Sequence, residues 1–337
     1  MITGHGDDIH EYEGITMNFS SNIYAHADLQ LLLEHLRKRI GLIANYPELE
    51  PRSLEVKLAA RLGVPAECVV VTNGATDAIY LIAETLYRRG LVRQRIMKPT
   101  FAEYEDACRA MGISLDDSAD VVWICNPNNP TGSALESSEL KRMAVRERLL
   151  VVDQSYGLFT DVAELSAKDS VELGNVIQIH SMTKSCAIPG LRLGYIVAAR
   201  DWTEELRKRL RPWAVNALAI EAGHYIVDNG FRAVKDIEAY LQETQRLRGK
   251  LNEIEGICVE PTRTNFMLCR LLHGTADELK HRLATRYGIL IRDASNFKGL
   301  TPQHFRVSTQ SREENDALVE AIMEQVDELI EIIKQKK

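Results

Sequence analysis

From about residue 53 to residue 200 the apolar positions follow two alternating patterns. "SLEVKLAARLG" reads as an amphipathic helix, "CVVVT" as a short unbroken apolar run, and "ATDAIYLIAETLYRR" as a second helix. Further on, "DVVWIC", "LLVVD", "NVIQIH" and "LGYIVAA" are continuous apolar runs. Such runs suit strands covered on both faces, so the pattern predicts an α/β fold with a mostly parallel central sheet. After residue 200 the texture changes. Charged helices are expected around 201–211, 214–228 and 231–252. Strands are expected at "TNFMLCR", "GILIR" and "HFRVST", and helices at "ADELKHRLATRY" and from about 312 onward. The expected division is an N-terminal arm over 1–24, a large domain over 25–225 and a smaller α+β domain over 226–337.

Composition narrows the possibilities. Apolar residues make up 45% and charged residues 26% of 337, which is ordinary for a globular chain and leaves no stretch apolar enough to span a membrane. A net charge of -7 argues against a nucleic-acid surface. The opening "MITGHGDDIHEYEG" has neither the basic start nor the apolar core of a secretory signal, so the cytoplasm is the expected location. Six cysteines without a C-x-x-C pair read as buried thiols, and nine histidines without metal-ligand spacing predict no metal site.

Chemistry concentrates at the ends of the apolar runs, where open α/β sheets bind ligands. "HSMTKSCAIPGLRLGY" puts Lys184 among Ser181, Thr183 and Ser185, with Arg192 eight positions on. A lysine whose pKa is lowered by its surroundings is a nucleophile for imine chemistry, whereas one capping a strand end is structural. "VTNGATDAI" offers the amides of Gly74, Ala75 and Thr76 as a phosphate cradle, or a plain strand-to-helix turn. "PTFAEY" offers Tyr104 as a stacking ring or a core residue. "NPNNPTG" fixes a turn in which Asn129 can present its amide. Asp153 ends "LLVVD", with Tyr156 three residues on. A buried carboxylate there needs either an ion-pair partner or a protonated ring nitrogen.

Taken together, "NGATDA", "PTFAEY", "NPNNPTG", "DQSY" and "SMTKSCAIPGLRLGY" resemble the fold-type-I family of pyridoxal-phosphate enzymes, aminotransferase class I/II. The likeness is greatest to the branch that holds histidinol-phosphate aminotransferase and threonine-phosphate decarboxylase. "HGDDIH", "NFSSNIY" and "GILIRDASNFKGLTPQHFRVS" lean toward the decarboxylase. The resemblance implies pyridoxal 5'-phosphate joined to Lys184, whose amine then moves a proton during the reaction. It implies Asp153 on the pyridine nitrogen, Tyr156 and Asn129 on the ring oxygen, and Tyr104 against the ring face. The phosphate would be held by Gly74, Ala75, Thr76, Ser181 and Arg192, with Tyr46 of "NYPELEP" reaching it from the other copy of a homodimer. Arg306 would take the substrate carboxylate, Arg292 and His5 its phosphate, and Asn22 would lie beside them.

The implied activity is decarboxylation of L-threonine O-3-phosphate, a step of cobalamin side-chain synthesis. The alternatives are a transaminase such as histidinol-phosphate aminotransferase, and a regulatory protein that binds the cofactor without catalysis. A dinucleotide-binding Rossmann protein is disfavoured, since no G-x-G-x-x-G follows an expected strand. Four departures from the family pattern stand out. Gln154 follows Asp153, Gln310 stands where a basic residue is expected, "SSNIYAHA" lacks an Asn-Pro, and the segment near 112–120 is short.

Overall fold

The computed structural model describes residues 8–335, the side chains of 329–335 excepted. A seven-stranded sheet forms the larger layer. Its strands lie in the order Val69–Thr72, Gly194–Ala198, Val176–Ser181, Leu149–Asp153, Val121–Cys125, Arg93–Ile96 and Ser114–Leu115. Gly194–Ala198 runs antiparallel to both neighbours, and every other pairing is parallel. The α/β expectation with a mostly parallel sheet is therefore met.

Burial explains the apolar runs. All five residues of Val121–Cys125 and of Leu149–Asp153 are buried. The helix Gly74–Arg88 covers one face with Ile79, Ile82 and Leu86, set three or four positions apart to form one stripe, and with Ala78 beside them. Leu140 and Ala144 of the helix Ser137–Arg146 cover part of the other face. Five of the six cysteines are buried and none is disulfide-bonded.

A smaller antiparallel sheet follows, in the order Arg292–Asp293, His304–Ser308, Phe266–Leu271 and Ile257–Val259. Alternation along His304–Ser308 sends Phe305 and Val307 into a core with Leu247, Leu251, Leu283 and Ile322 of the helices Ile237–Asn252, Ala276–Tyr287 and Arg312–Gln335. Arg306, between them, points to the opposite face. Helices expected at 201–211 and 231–252 are shorter, at Arg200–Arg207 and Ile237–Asn252.

One pairing is remote in sequence. Met17–Asn18 forms a parallel two-stranded sheet with Ile289–Leu290. Beyond it, Gln310 is buried, and its side chain bonds the Ala25 nitrogen (2.9 Å), the Ile23 oxygen (2.8 Å) and the Asn18 oxygen (3.1 Å). The residue that looked like a missing cation thus fastens residues 18–25. Among the described residues no helix is long and apolar enough to cross a membrane.

Candidate active site

The parallel strands Val121–Cys125, Leu149–Asp153 and Val176–Ser181 end at one edge of the large sheet, with Cys125 opposite Asp153 and Asp153 opposite Ile179. Thr72 and Ser181 end at the same edge, each opposite Gly194 of the reversed strand. A cavity of about 220 Å³ opens there, lined by Lys184, Asp153, Tyr156, Asn129, Arg292 and Arg306 among others.

One end of the cavity is built to hold an anion. Ala75 and Thr76 lie at the start of the 15-residue helix Gly74–Arg88, whose first N–H groups lack partners within the helix. Ser181 and Arg192 close the other sides. Gly74 adopts φ +86°, and a Cβ there would stand 2.6 Å from Arg192 Nη2. The glycine therefore lets the guanidinium lie against the helix start. Thr183, which no role had been given, also lines the cavity.

Asp153 also lines the cavity, 4% exposed. Its carboxylate accepts from the Tyr104 hydroxyl (2.7 Å) and the Ser155 N–H (2.9 Å), and no cation pairs with it among the described residues. Burial pushes its pKa up, against the effect of those two donors. Tyr104, expected as a flat ring over a cofactor, lines the cavity, with its hydroxyl on Asp153 and its ring against Trp123, centroids 5.7 Å apart. Phe101 meets Tyr104 edge-on and lines the cavity as well.

Lys184 sits in the short helix Met182–Ser185, and its Nζ donates to the Ser21 carbonyl at 2.8 Å. Tyr156 is buried edge-on to Phe266 and accepts from Asn22 Nδ2 at 3.2 Å. Burial pushes the Tyr156 phenol up to about 12. Asn129 gives its side-chain oxygen to Arg306 Nη1, which leaves its NH₂ as the group able to donate.

Arg306 is buried and also donates from Nη2 to the Ser20 carbonyl at 2.5 Å, while its Nε has no partner. Burial pulls its pKa down to about 10. Arg292 is its direct neighbour across the strand pair, bonded to Asn296 Oδ1 at 2.8 Å and lying over the Phe297 ring. Its pKa is likewise lowered by burial. Asn296 and Phe297 line the cavity, and the sequence reading had passed over both.

One predicted residue lies elsewhere. Tyr46 is 83% exposed and rests against Trp213, outside this chain's own cavity. His5 lies outside the described residues.

A model of the family "Aminotransferase class I and II" matches residues 114–322, more than half of the chain. The chain belongs to the aminotransferase class I and II family. Among the relatives of this aminotransferase-family chain is the threonine-phosphate decarboxylase of Salmonella typhimurium, 29% identical, with 95% of this chain and 96% of the relative covered. The crystal structure of L-threonine-O-3-phosphate decarboxylase from Porphyromonas gingivalis matches with a TM-score of 0.89 and 36% identity, covering 92% of this chain and 99% of that one. The structure of histidinol-phosphate aminotransferase from Sinorhizobium meliloti in complex with pyridoxal-5'-phosphate shares the fold, with a TM-score of 0.81 and 18% identity over 94% and 92% of the two chains.

The cofactor of this aminotransferase-family enzyme is pyridoxal 5'-phosphate. The residues present fit it. A buried carboxylate without a cation suits a protonated pyridine nitrogen, and the cradle at Gly74, Ala75 and Arg192 suits a phosphate. Lys184 lines the same cavity.

Proposed function

We propose that this enzyme decarboxylates a small phosphorylated amino acid, L-threonine O-3-phosphate above all. The observation that carries the reading is the pair Arg292 and Arg306, two buried cations set opposite one another and lining the same cavity as Lys184. Like charges directly opposite repel, and a ligand with two anions offsets that repulsion. A substrate with a carboxylate and a phosphate supplies two. The cited relatives named for threonine-phosphate decarboxylation support the same choice.

On this reading Arg306 binds the carboxylate and Arg292 the phosphate, with Asn296 orienting the Arg292 guanidinium. Asp153 keeps the pyridine nitrogen protonated. Asn129 and Tyr156 hydrogen-bond the ring oxygen, and Tyr104 steadies Asp153. Bound there, the cofactor supplies an electron sink for the pair left when a bond at the substrate α-carbon breaks. The Cα–carboxylate bond breaks, carbon dioxide leaves, and Lys184 Nζ delivers a proton to the α-carbon. Transamination is the second reading, because Lys184 and Asp153 serve it equally and one cited neighbour is a histidinol-phosphate aminotransferase. Histidinol phosphate carries no carboxylate and so leaves one of the two arginines unmatched.

The proposal includes a homodimer. Leu31, Ile40, Ile43, Tyr46 and Leu49 are exposed apolar side chains, of the kind that interfaces cover. Tyr46 from a second copy would then reach the cofactor phosphate. Residues up to 24 are read as an arm over the site, 25–225 as the cofactor domain and 226–337 as the smaller domain. The unpaired, mostly buried cysteines favour the cytoplasm as the place of action.

The test mixes holoenzyme with L-threonine O-3-phosphate and follows carbon dioxide and the cofactor spectrum together. Catalytic carbon dioxide release with an unchanged final spectrum is expected. Conversion to the amine form of the cofactor without carbon dioxide would establish transamination instead.

A further inference from the structure

A second cavity, of about 300 Å³, adjoins the first, and Ser155 and Ser181 line both. Its inner end presents acceptors. Gln154, 4% exposed, directs Nε2 to Glu164 Oε1 (3.1 Å) and to the Leu165 carbonyl (3.3 Å), whereas its Oε1 is buried without a partner. A buried amide oxygen in that state is a site waiting for a donor. Glu164 has no cationic partner among the described residues, and burial pushes its carboxyl up to about 7. Gly157 backs onto it, since a Cβ there would stand 1.7 Å from Glu164 Oε1. Any side chain at 157 would evict the carboxylate from its place.

The rim has the opposite character. Arg61 and Arg232 are both exposed, and neither meets a carboxylate among the described residues. Leu58, Met182 and Ile226 add apolar lining. The volume is at the lower limit of small-molecule sites, so the occupant must be small.

We propose that this cavity binds a short primary amine carrying an anionic group, its ammonium on Glu164 and Gln154 Oε1 and its anion at Arg61 and Arg232. An ammonium offers three N–H donors and no acceptor, which matches an inner end made of a carboxylate and an amide oxygen. Occupancy acts on the reaction site through the shared wall, because Gln154 is the neighbour of Asp153 in the chain and Ser181 belongs to the phosphate cradle. The assignment stands on the residues of this cavity and does not depend on the reaction proposed above.

The test is calorimetric titration of the holoenzyme with 2-aminoethyl phosphate. Two binding events per chain are expected, one lost in Arg292→Ala and the other weakened at least tenfold in Glu164→Gln. The exposed pair Arg61→Ala with Arg232→Ala must weaken that same second event, which guards against a packing defect in Glu164→Gln. Ethyl phosphate and ethylamine, each lacking one end, must fail to reproduce it. A single event removed by Arg292→Ala and untouched at Glu164, or no second event at millimolar probe, overturns the proposal. A Glu164-dependent event in an enzyme that releases no carbon dioxide would keep this site while refuting the decarboxylase reading.

Discussion

Arg292 and Arg306 are directly opposed Cα partners in an antiparallel strand pair, both buried, with Nε of Arg306 left without a partner. The pair puts two cations on one cavity, and the arginines make a test of substrate charge. Arg306→Ala is expected to lower kcat/KM by roughly a hundredfold or more, the scale on which a buried charged contact is lost. Arg292→Ala should do the same for the phosphorylated substrate but have little effect on the residual reaction of L-threonine. Equal losses on both substrates would contradict the assignment of the phosphate to Arg292.

Lys184→Ala should bind cofactor yet show no turnover and none of the absorbance of the lysine-linked form. Activity assays and an absorption spectrum check both at once. Turnover that survives at more than about one part in 10², the lower end of what a positioned acid or base contributes, would remove Lys184 from the proton transfer.

Asp153→Asn should cost roughly a hundredfold in kcat, about the 3 kcal/mol involved in removing one partner of a buried charge pair. Tyr104→Phe takes away only one of the two donors to Asp153 and should cost roughly tenfold or less, in line with a hydrogen bond to a charged group. Steady-state kinetics on the two variants gives the ranking, and a reversed order would show that Tyr104 does more than steady the carboxylate.

Gly74→Ala should weaken cofactor binding at least tenfold. The positive φ costs an L-residue about 1–2 kcal/mol, and the new methyl displaces the Arg192 guanidinium. Titration of apoenzyme with pyridoxal 5'-phosphate measures this directly.

Glu164 gives the protein a pH dependence of known sign. Its folded-state pKa, about 7, is raised above an ordinary value of 4.5, so the native state binds its proton more tightly than the unfolded chain does. The stability this contributes is complete below about pH 4.5 and is lost as pH rises through about 7. At pH 8 the loss is roughly 3 kcal/mol, and Glu164→Gln should recover it. Urea midpoints of the two proteins should differ at pH 8 and converge at pH 4.5.

The cofactor end of the site was legible because each part is local in sequence. Asp153, Ser181 and Lys184 end buried apolar strands or begin the next turn, and Gly74 and Arg192 sit in short motifs whose spacing reflects one sheet edge. The acceptors for Lys184 and Arg306 were not legible, since the main-chain carbonyls of Ser21 and Ser20 carry no residue signature. Gln310 misled for a related reason. Its chemistry suggested a lost phosphate ligand, whereas three of its partners are groups nearly 300 positions away, brought near by the pairing of Met17–Asn18 with Ile289–Leu290. Phe101 and Thr183 lay inside motifs that had been read for a neighbouring residue.

Ser20 and Ser21 are adjacent, and their carbonyls receive the two cationic side chains that the chemistry needs. Cofactor joined to Lys184 would release the Ser21 carbonyl, and a substrate that claims Nη2 of Arg306 would release that of Ser20, so loading the site unfastens the chain just before Asn22. Digestion by a protease would then proceed faster at the N-terminal segment in the presence of substrate, the reverse of the protection that ligands ordinarily confer.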